Sequence, residues 1–284
     1  MFINSFLALR SRFKVEFDLH KVYEVKHSLG KGGHGEVYSA VRRKDGKKVA
    51  IKRIKKRNCE KRRRKKLPSE VSILQQLQDV PGVVPLLDYH QSEGSHYIVM
   101  ERFPCKDMFD FISEHPSGVG ENVARDMFKQ IVETVQHCRK KGFVHGDIKD
   151  ENMLINTETK EINLIDFGSS DQWSEEVLTR FGGTRDYAPP EWFLAGKVTA
   201  EGLTVWSLGI LLYSLLCGDI PFQTDLHIRQ EKISLPPTIS QAAASLVQRC
   251  LEKNPDKRIT LTDLSTHTWL VDRDRYFVTQ PVFV

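Results

Sequence analysis

Cysteine is sparse and scattered in this chain. The five residues Cys59, Cys105, Cys138, Cys217 and Cys250 are odd in number, and no two stand at a metal-ligand spacing. That argues against a disulfide framework and a zinc site, and is consistent with reduced thiols in a cytosolic or nuclear protein. Long unbroken apolar runs are missing too. The longest, Leu203 to Cys217, is interrupted by Thr204, Ser207 and Ser214. It is too short to span a bilayer, so a buried helix is expected there and no membrane partner. Met1 to Leu9 is apolar but carries neither a basic n-region nor a small-residue cleavage site, so no secretory leader is expected. Internal repeats are absent. Bias is confined to one stretch: between Lys52 and Lys66 there are eleven Lys or Arg residues and a single acid, Glu60. The formal net charge of +5 therefore comes from this run, and outside it acids outnumber bases. No aromatic is interleaved in it, so base stacking on single strands is not suggested and nucleic acid is not expected as the main partner. A solvated connection and a nuclear-import or acidic-partner patch both remain readings of it. Cytoplasmic and nuclear residence follows as an expectation.

What the chain does have is organised around His145-Gly146-Asp147-Ile148-Lys149-Asp150-Glu151-Asn152, followed fourteen positions after Asn152 by Asp166-Phe167-Gly168. The pattern H-x-D-x-x-x-x-N and then D-F-G supplies what phosphoryl transfer needs. Asp147 would accept the proton of an attacking hydroxyl, Lys149 would steady the moving phosphoryl group, and Asn152 and Asp166 would hold Mg²⁺ against the phosphates of ATP. Upstream, Gly30-Lys31-Gly32-Gly33-His34-Gly35-Glu36-Val37 fits G-x-G-x-x-G-x-V. Glycines let backbone N–H groups approach phosphates closely. In a dinucleotide-binding fold a helix would follow such glycines. Here Val37 to Val41 continues as a strand, and Asp45-Gly46 reads as a hairpin turn.

Lys52 lies on the next strand, after Val49-Ala50-Ile51, and is expected to meet the α- and β-phosphates. Glu70, Leu74 and Leu77 share a face of a helix beginning near Ser69. An acid on an inward face wants a cation, so Glu70 is assigned as the partner of Lys52. Val83 to Leu87 and Tyr97 to Met100 read as two further strands, and Glu101-Arg102-Phe103-Pro104 breaks the pattern as a hinge against which adenine would lie. The remainder is mainly helical. Glu121 to Lys141 carries an apolar stripe of helical period ending at Gly142, and further helices are expected around Trp206, over 240–252 and over 261–266. Residues 166–191 read as a loop of little periodicity.

Taken in order, these motifs make residues 23–270 resemble a eukaryotic protein kinase catalytic domain. Lys149 two after Asp147, and Gly183-Thr184 ahead of Pro189-Pro190-Glu191, are similar to serine/threonine rather than tyrosine kinases. Leu164-Ile165-Asp166-Phe167-Gly168-Ser169, Pro189-Pro190-Glu191-Trp192, Val205-Trp206-Ser207-Leu208-Gly209 and Cys217-Gly218-Asp219-Ile220-Pro221-Phe222 are closest to the PIM family, as is a proline in the hinge, Pro104.

The resemblance implies an α+β, bilobal fold with a small β-rich N-lobe over 23–101 and a larger, mainly helical C-lobe over 102–270. An extension over 1–22 and a tail over 271–284 flank the two. It implies ATP contacts from Leu29, Gly30, Lys31, Gly32, Gly33, His34, Gly35, Glu36, Val37, Ala50, Lys52 and Glu101. It also implies protein substrates with basic residues upstream of the target Ser or Thr, for which Asp107, Asp110, Asp150, Glu151, Asp219 and Asp225 are the available acids. Glu191 should pair with Arg258, and Thr184 should contact Asp147 and Lys149. A monomer is expected.

Two positions depart from the pattern. Gly146 stands where most kinases have the arginine that grips an activation-loop phosphate, which suggests activity without that phosphate. Thr204 stands where many carry an aspartate that holds the catalytic-loop backbone. The alternative reading is a pseudokinase, a nucleotide-binding scaffold without chemistry.

Overall fold

The computed structural model describes residues 17–56 and 67–271. Residues 57–66, which hold most of the basic run together with Glu60 and Cys59, lie outside the described residues, as do residues 1–16 and 272–284. The described residues form two compact units. One comprises 17–56, 67–72 and 85–103; the other comprises 73–84 and 104–271.

The first unit is built on an antiparallel sheet. After a short helix α1 (Leu19–Val22) come β1 (Tyr23–Gly32), β2 (Gly35–Arg42) and β3 (Lys48–Lys55); helix α2 (Ser69–Gln76) begins in this unit, and β4 (Leu86–Gln91) and β5 (Ser95–Glu101) complete the sheet in the order β1-β2-β3-β5-β4. Turn chemistry sets the β2–β3 register. The Asp45 carboxylate accepts from the Arg42 Nε at 3.0 Å and from the Lys47 amide at 3.1 Å, while the Gly46 amide donates to Arg42 O at 2.9 Å. Strand periodicity then sorts the side chains. Val49 and Ile51 join Tyr23, Ala40 and Val99 in a core cluster covered by Phe17, Leu19, Val22, Leu87 and Tyr97. Each such Val or Ile burial is worth about 1.5–3 kcal/mol. The alternate residues of β3, Ala50 and Lys52, are thereby committed to the opposite face.

The strand expected over Val83–Leu87 starts only at Leu86. Proline 85 has no N–H to give a ladder. Its carbonyl accepts from the Glu101 amide at 2.9 Å, whereas Val84 donates to Leu164 O at 3.1 Å and Val83 forms a parallel bridge with Leu164.

The second unit contains β6 (Cys105–Asp107), α3 (Met108–Ser113), α4 (Glu121–Lys140), β7 (Phe143–Val144), β8 (Met153–Asn156), β9 (Ile162–Leu164), β10 (Asp171–Gln172), β11 (Val177–Leu178), α5 (Pro190–Ala195), β12 (Val198–Thr199), α6 (Ala200–Cys217), α7 (Asp225–Gln230), α8 (Gln241–Cys250), α9 (Leu261–Ser265) and α10 (Thr268–Val271). The stretch 166–191 is less irregular than its sequence suggests, since β10 pairs with β7 and β11 with β12.

By length and composition α6 could cross a membrane, but 78% of it is buried inside the unit, as befits a core helix apolar on all sides. Thr199 caps its start by accepting from the Gly202 amide. The α4 stripe of Ala124, Met127, Phe128, Ile131, Val132 and Val135 is buried, and Glu121 at its N-terminus fastens distant elements. The Glu121 carboxylate accepts from the Ser240 amide and hydroxyl at 3.0 and 2.7 Å and from the Trp269 indole at 2.8 Å.

Candidate active site

In the first unit the glycine segment forms the β1–β2 hairpin. Gly32 pairs with Gly35, and Gly33 and His34 make the turn. Gly35 has φ +138°, and a Cβ there would meet Arg53 O at 2.6 Å, so only glycine lets the hairpin lie this close to β3. Around Gly30, Gly32 and Gly33 nothing approaches a would-be Cβ within 4 Å, so packing does not demand these glycines and the backbone is open to approach. Leu29, on β1, is an exposed apolar side chain. Lys31 is exposed, and Glu36, Val37 and Ala50 are half-buried on β2 and β3. Glu101 closes β5 and pairs with Lys47 at 2.8 Å.

Lys52 is buried, which would be costly for an isolated ammonium. Its Nζ donates to both carboxylate oxygens of Glu70, itself buried, at 2.7 and 2.9 Å. The structure thus brings together the lysine and the glutamate that helical spacing had paired. The pair fixes Lys52 Nζ on one face of the sheet with hydrogen-bonding capacity directed by Glu70.

In the second unit the catalytic-loop residues are held by an interlocked set of hydrogen bonds. His145 accepts at Nδ1 from the Asp147 amide at 3.3 Å and donates from Nε2 to Ile165 O at 3.0 Å, which assigns the neutral Nε2–H tautomer. Its carbonyl accepts from the Ser170 hydroxyl at 2.8 Å, and its ring meets the edge of buried Phe167 with centroids 4.7 Å apart.

Asn152 Nδ2 donates to Asp147 O at 2.7 Å and to Asp147 Oδ2 at 3.1 Å. Asp147 Oδ1 accepts from the Thr184 amide at 2.7 Å, so the predicted contact of Thr184 is made by its backbone. Lys149 Nζ lies 3.8 Å from Asp147 Oδ2 and 3.0 Å from Glu151 Oε2. Burial of Lys149 opposes its charge, but the carboxylates of Glu151, Asp147 and Asp150 more than offset this and raise its pKa, so it is an ammonium at neutral pH.

Asp150 is buried, which raises its carboxyl pKa. Tyr187 donates to it at 3.0 Å, and the Tyr187 carbonyl accepts from Ser207 of α6 at 3.2 Å. Asp166 follows Ile165, whose amide donates to Asn152 O at 3.0 Å. It takes a left-handed backbone at φ 59°, uncommon for a non-glycine residue, and its Oδ1 accepts from the Gly168 amide at 3.1 Å.

Gly146 is the position where sequence reasoning saw only a missing arginine. Its φ is +81°, and a Cβ there would lie 2.4 Å from Ser169 O. The hydroxyl of Thr204, the other departure, donates to Ala200 O one turn back in α6 at 2.7 Å.

The donor set for a divalent cation is sound on chemical grounds. Asn152 directs its Nδ2 at two acceptors, which leaves its Oδ1 as the free oxygen, and Asp166 offers a carboxylate. Among the described residues there is no group of three or more His, Cys, Asp or Glu that could form a complete metal cage. Two oxygen ligands without a cage suit Mg²⁺, which completes its shell with water and phosphate oxygens.

Supporting residues are spread more widely. Arg258 binds Glu191 through Nη1 and Nη2 at 2.7 and 2.8 Å and also donates to Gly202 O and Glu252 O. Asp107 caps α3 by accepting from the Phe109 amide, Asp110 sits exposed in the first turn of that helix, and Asp219 accepts from the Ile220 amide. Asp225 is engaged by Arg185. These last four acids are not gathered at Asp147 by any hydrogen bond among the described residues.

With this geometry in place the comparisons fall into line. The protein kinase domain model matches residues 23–270, and the chain belongs to the protein kinase family. Its relatives narrow the placement. It is 42% identical over 266 residues to the serine/threonine-protein kinase pim-2 of Danio rerio, covering 89% of this chain and 86% of that protein. It is 38% identical over 258 residues to the serine/threonine-protein kinase prk-2 of Caenorhabditis elegans, covering 88% of this chain and 58% of that one. A Rattus norvegicus SNF-related serine/threonine-protein kinase is 32% identical over 256 residues, a match spanning 34% of its length. The chain is a PIM-like, ATP-dependent serine/threonine protein kinase domain, and nothing in these relatives supports the pseudokinase alternative.

Proposed function

We propose that the chain transfers the γ-phosphoryl group of ATP to Ser or Thr hydroxyls of proteins, with Asp147 as the base, and that it prefers substrates with basic residues upstream. The observation that carries this reading is the fixing of the Asp147 carboxylate from two directions, by the Thr184 amide and by Asn152 Nδ2. A carboxylate pinned in this way presents an oxygen to an incoming hydroxyl in a set orientation, so proton acceptance costs little reorganisation.

Lys149, charged and 3.8 Å from Asp147, is suited to stabilise negative charge on the moving phosphoryl group. Lys52, steered by Glu70, would bind the α- and β-phosphates, and the backbone around Gly30, Gly32 and Gly33, free of neighbours within 4 Å of a would-be Cβ, would meet phosphate oxygens. Asn152 and Asp166 would hold Mg²⁺, which neutralises charge on the triphosphate when bound.

Activity is proposed not to depend on activation-loop phosphorylation, because Gly146 offers no guanidinium to grip an added phosphate. We further propose a monomer resident in cytoplasm and nucleus.

Radiolabel transfer to a basic Ser peptide tests the reading. Wild type should label it, while Asp147→Ala and Lys52→Met should lose at least a hundredfold. Equal labelling by Asp147→Ala would refute the assignment of the base. A positional peptide library reads the basic preference. Phosphatase-treated enzyme should keep its rate, and loss of most of it would overturn the claim of independence.

A further inference from the structure

We infer that Trp173 is a positioning residue for phosphoryl transfer: stacked under Arg139, it holds the segment after Asp166-Phe167-Gly168 in its working shape, where Gly146 supplies no guanidinium to grip a phosphate. This rests on the phosphate-independent reading above.

The start of that segment has little of its own to hold it. Strand β10 is two residues long, pairing Asp171 with Val144 and Gln172 with Phe143, and the Trp173 amide adds one bond to Gly142 O at 2.8 Å. A two-stranded pair is marginal in water unless something packs on it. The Trp173 side chain supplies the packing. Arg139, in the last turn of α4, places its Cζ 4.7 Å from the centroid of the Trp173 ring. At that distance a guanidinium is drawn to the negative face of an indole. Arg139 is itself steered from behind. Its Nη1 lies 3.2 Å from Glu201 Oε1, which also accepts from the Leu261 amide at 3.1 Å. Helices α6 and α9 therefore set the plane on which Trp173 rests.

Two routes lead from this contact to Asp147. Ser170, three residues before Trp173, donates from its hydroxyl to His145 O at 2.8 Å, and His145 Nδ1 accepts from the Asp147 amide at 3.3 Å. Ser169 donates from its hydroxyl to Gly182 O at 2.9 Å. Gly182 stands two positions before Thr184, whose amide holds Asp147 Oδ1 at 2.7 Å. Releasing Trp173 loosens both supports of Asp147, and a small misplacement at a reacting group lowers the rate.

The experiment treats every enzyme with phosphatase and then measures kcat and KM on a basic Ser peptide. Trp173→Ala should lower kcat about two- to tenfold, the effect of losing one partly exposed cation–π contact. KM for ATP should stay within about twofold of wild type, because the loss falls on the transition state rather than on nucleotide binding. Cleavage by a Glu-specific protease after Glu175 or Glu176, between Trp173 and β11, should speed up, since it follows the opened population. Trp173→Phe keeps a π face and should keep most of kcat. Trp173→Leu keeps only apolar bulk and should fall with Trp173→Ala. Joining Arg139→Ala to Trp173→Ala should cost no more than the worse single change, because both remove one contact.

Trp173→Leu as active as Trp173→Phe, or losses that multiply in the double variant, would overturn the inference. So would a Trp173→Ala enzyme with unchanged kcat beside a wild type that keeps its rate after phosphatase, and the phosphate-independent reading would then stand alone. If wild type itself loses most of its rate after phosphatase, that reading fails and takes this inference with it.

Discussion

Replacing Gly146 by alanine tests the catalytic loop at its tightest point. The residue sits at φ +81°, and an added Cβ would stand 2.4 Å from Ser169 O and 3.2 Å from Ser169 C. A left-handed conformation costs a non-glycine residue about 1–2 kcal/mol. The clash is with backbone rather than a flexible side chain, and displacing packed backbone adds about 1–3 kcal/mol. The sum is roughly 2–5 kcal/mol.

Gly142 provides the control. It has φ +85° with nothing within 4 Å of a would-be Cβ, so Gly142→Ala carries only the conformational part, about 1–2 kcal/mol. Thermal unfolding followed by tryptophan fluorescence should show a drop of several degrees for Gly146→Ala and about half that for Gly142→Ala, since 1 kcal/mol moves Tm by roughly 2–4 °C in chains of this size. Activity should fall as well, because Gly146 lies between His145 and Asp147 and a Cβ on Gly183 would reach Gly146 O at 2.5 Å. A displacement near 1 Å at such a site costs on the order of a hundredfold in rate. Gly146→Arg, which restores the residue most kinases carry, should suffer at least the same penalty, since the clash begins at Cβ. If Gly146→Ala proved as stable as Gly142→Ala and kept its kcat, the reasoning from Ser169 O would be refuted.

Other substitutions test other parts of the structure. Lys52→Met leaves Glu70 buried without its cation and should destabilise by about 3–5 kcal/mol, seen as a lower unfolding midpoint, while abolishing transfer. Arg258→Ala strands Glu191 and should cost a similar amount, about 3–5 kcal/mol. Arg258→Lys should not restore it, because one ammonium cannot reproduce the two-pronged contact.

Burial would raise the Glu121 carboxyl, but hydrogen bonds from Ser240 and Trp269 and the charge of Arg125 prevail and hold its pKa below the ordinary glutamate value. A carboxyl depressed in the folded state contributes stability above its unfolded pKa and loses it as pH falls through the folded one. Wild type should therefore exceed Glu121→Gln in stability at pH 7, with the gap closing as pH drops below about 4. An unchanged gap at pH 3 would contradict this.

The parts legible in the sequence were those with a short-range physical signature. Strand alternation puts Lys52 opposite Val49 and Ile51, and helical spacing turns Glu70 inward, so their meeting follows from two local periods. Likewise α4 announced itself through its stripe, and the hairpin at Asp45-Gly46 through its turn residues.

What failed to show was set by backbone direction and by long-range choice of partner. Val83 and Val84 read as a strand, yet they pair with Leu164, some eighty positions away, because Pro85 interrupts the ladder they would have joined. Thr184 was expected to contact Asp147, and the sequence left open that its backbone amide makes the contact. Gly146 was read as an arginine lost, though its φ shows a position where any Cβ would strike Ser169 O.

In each case the sequence names the chemical groups. Which of them stays free to act depends on where the neighbours' bonds are already directed, and that is a property of the folded loop.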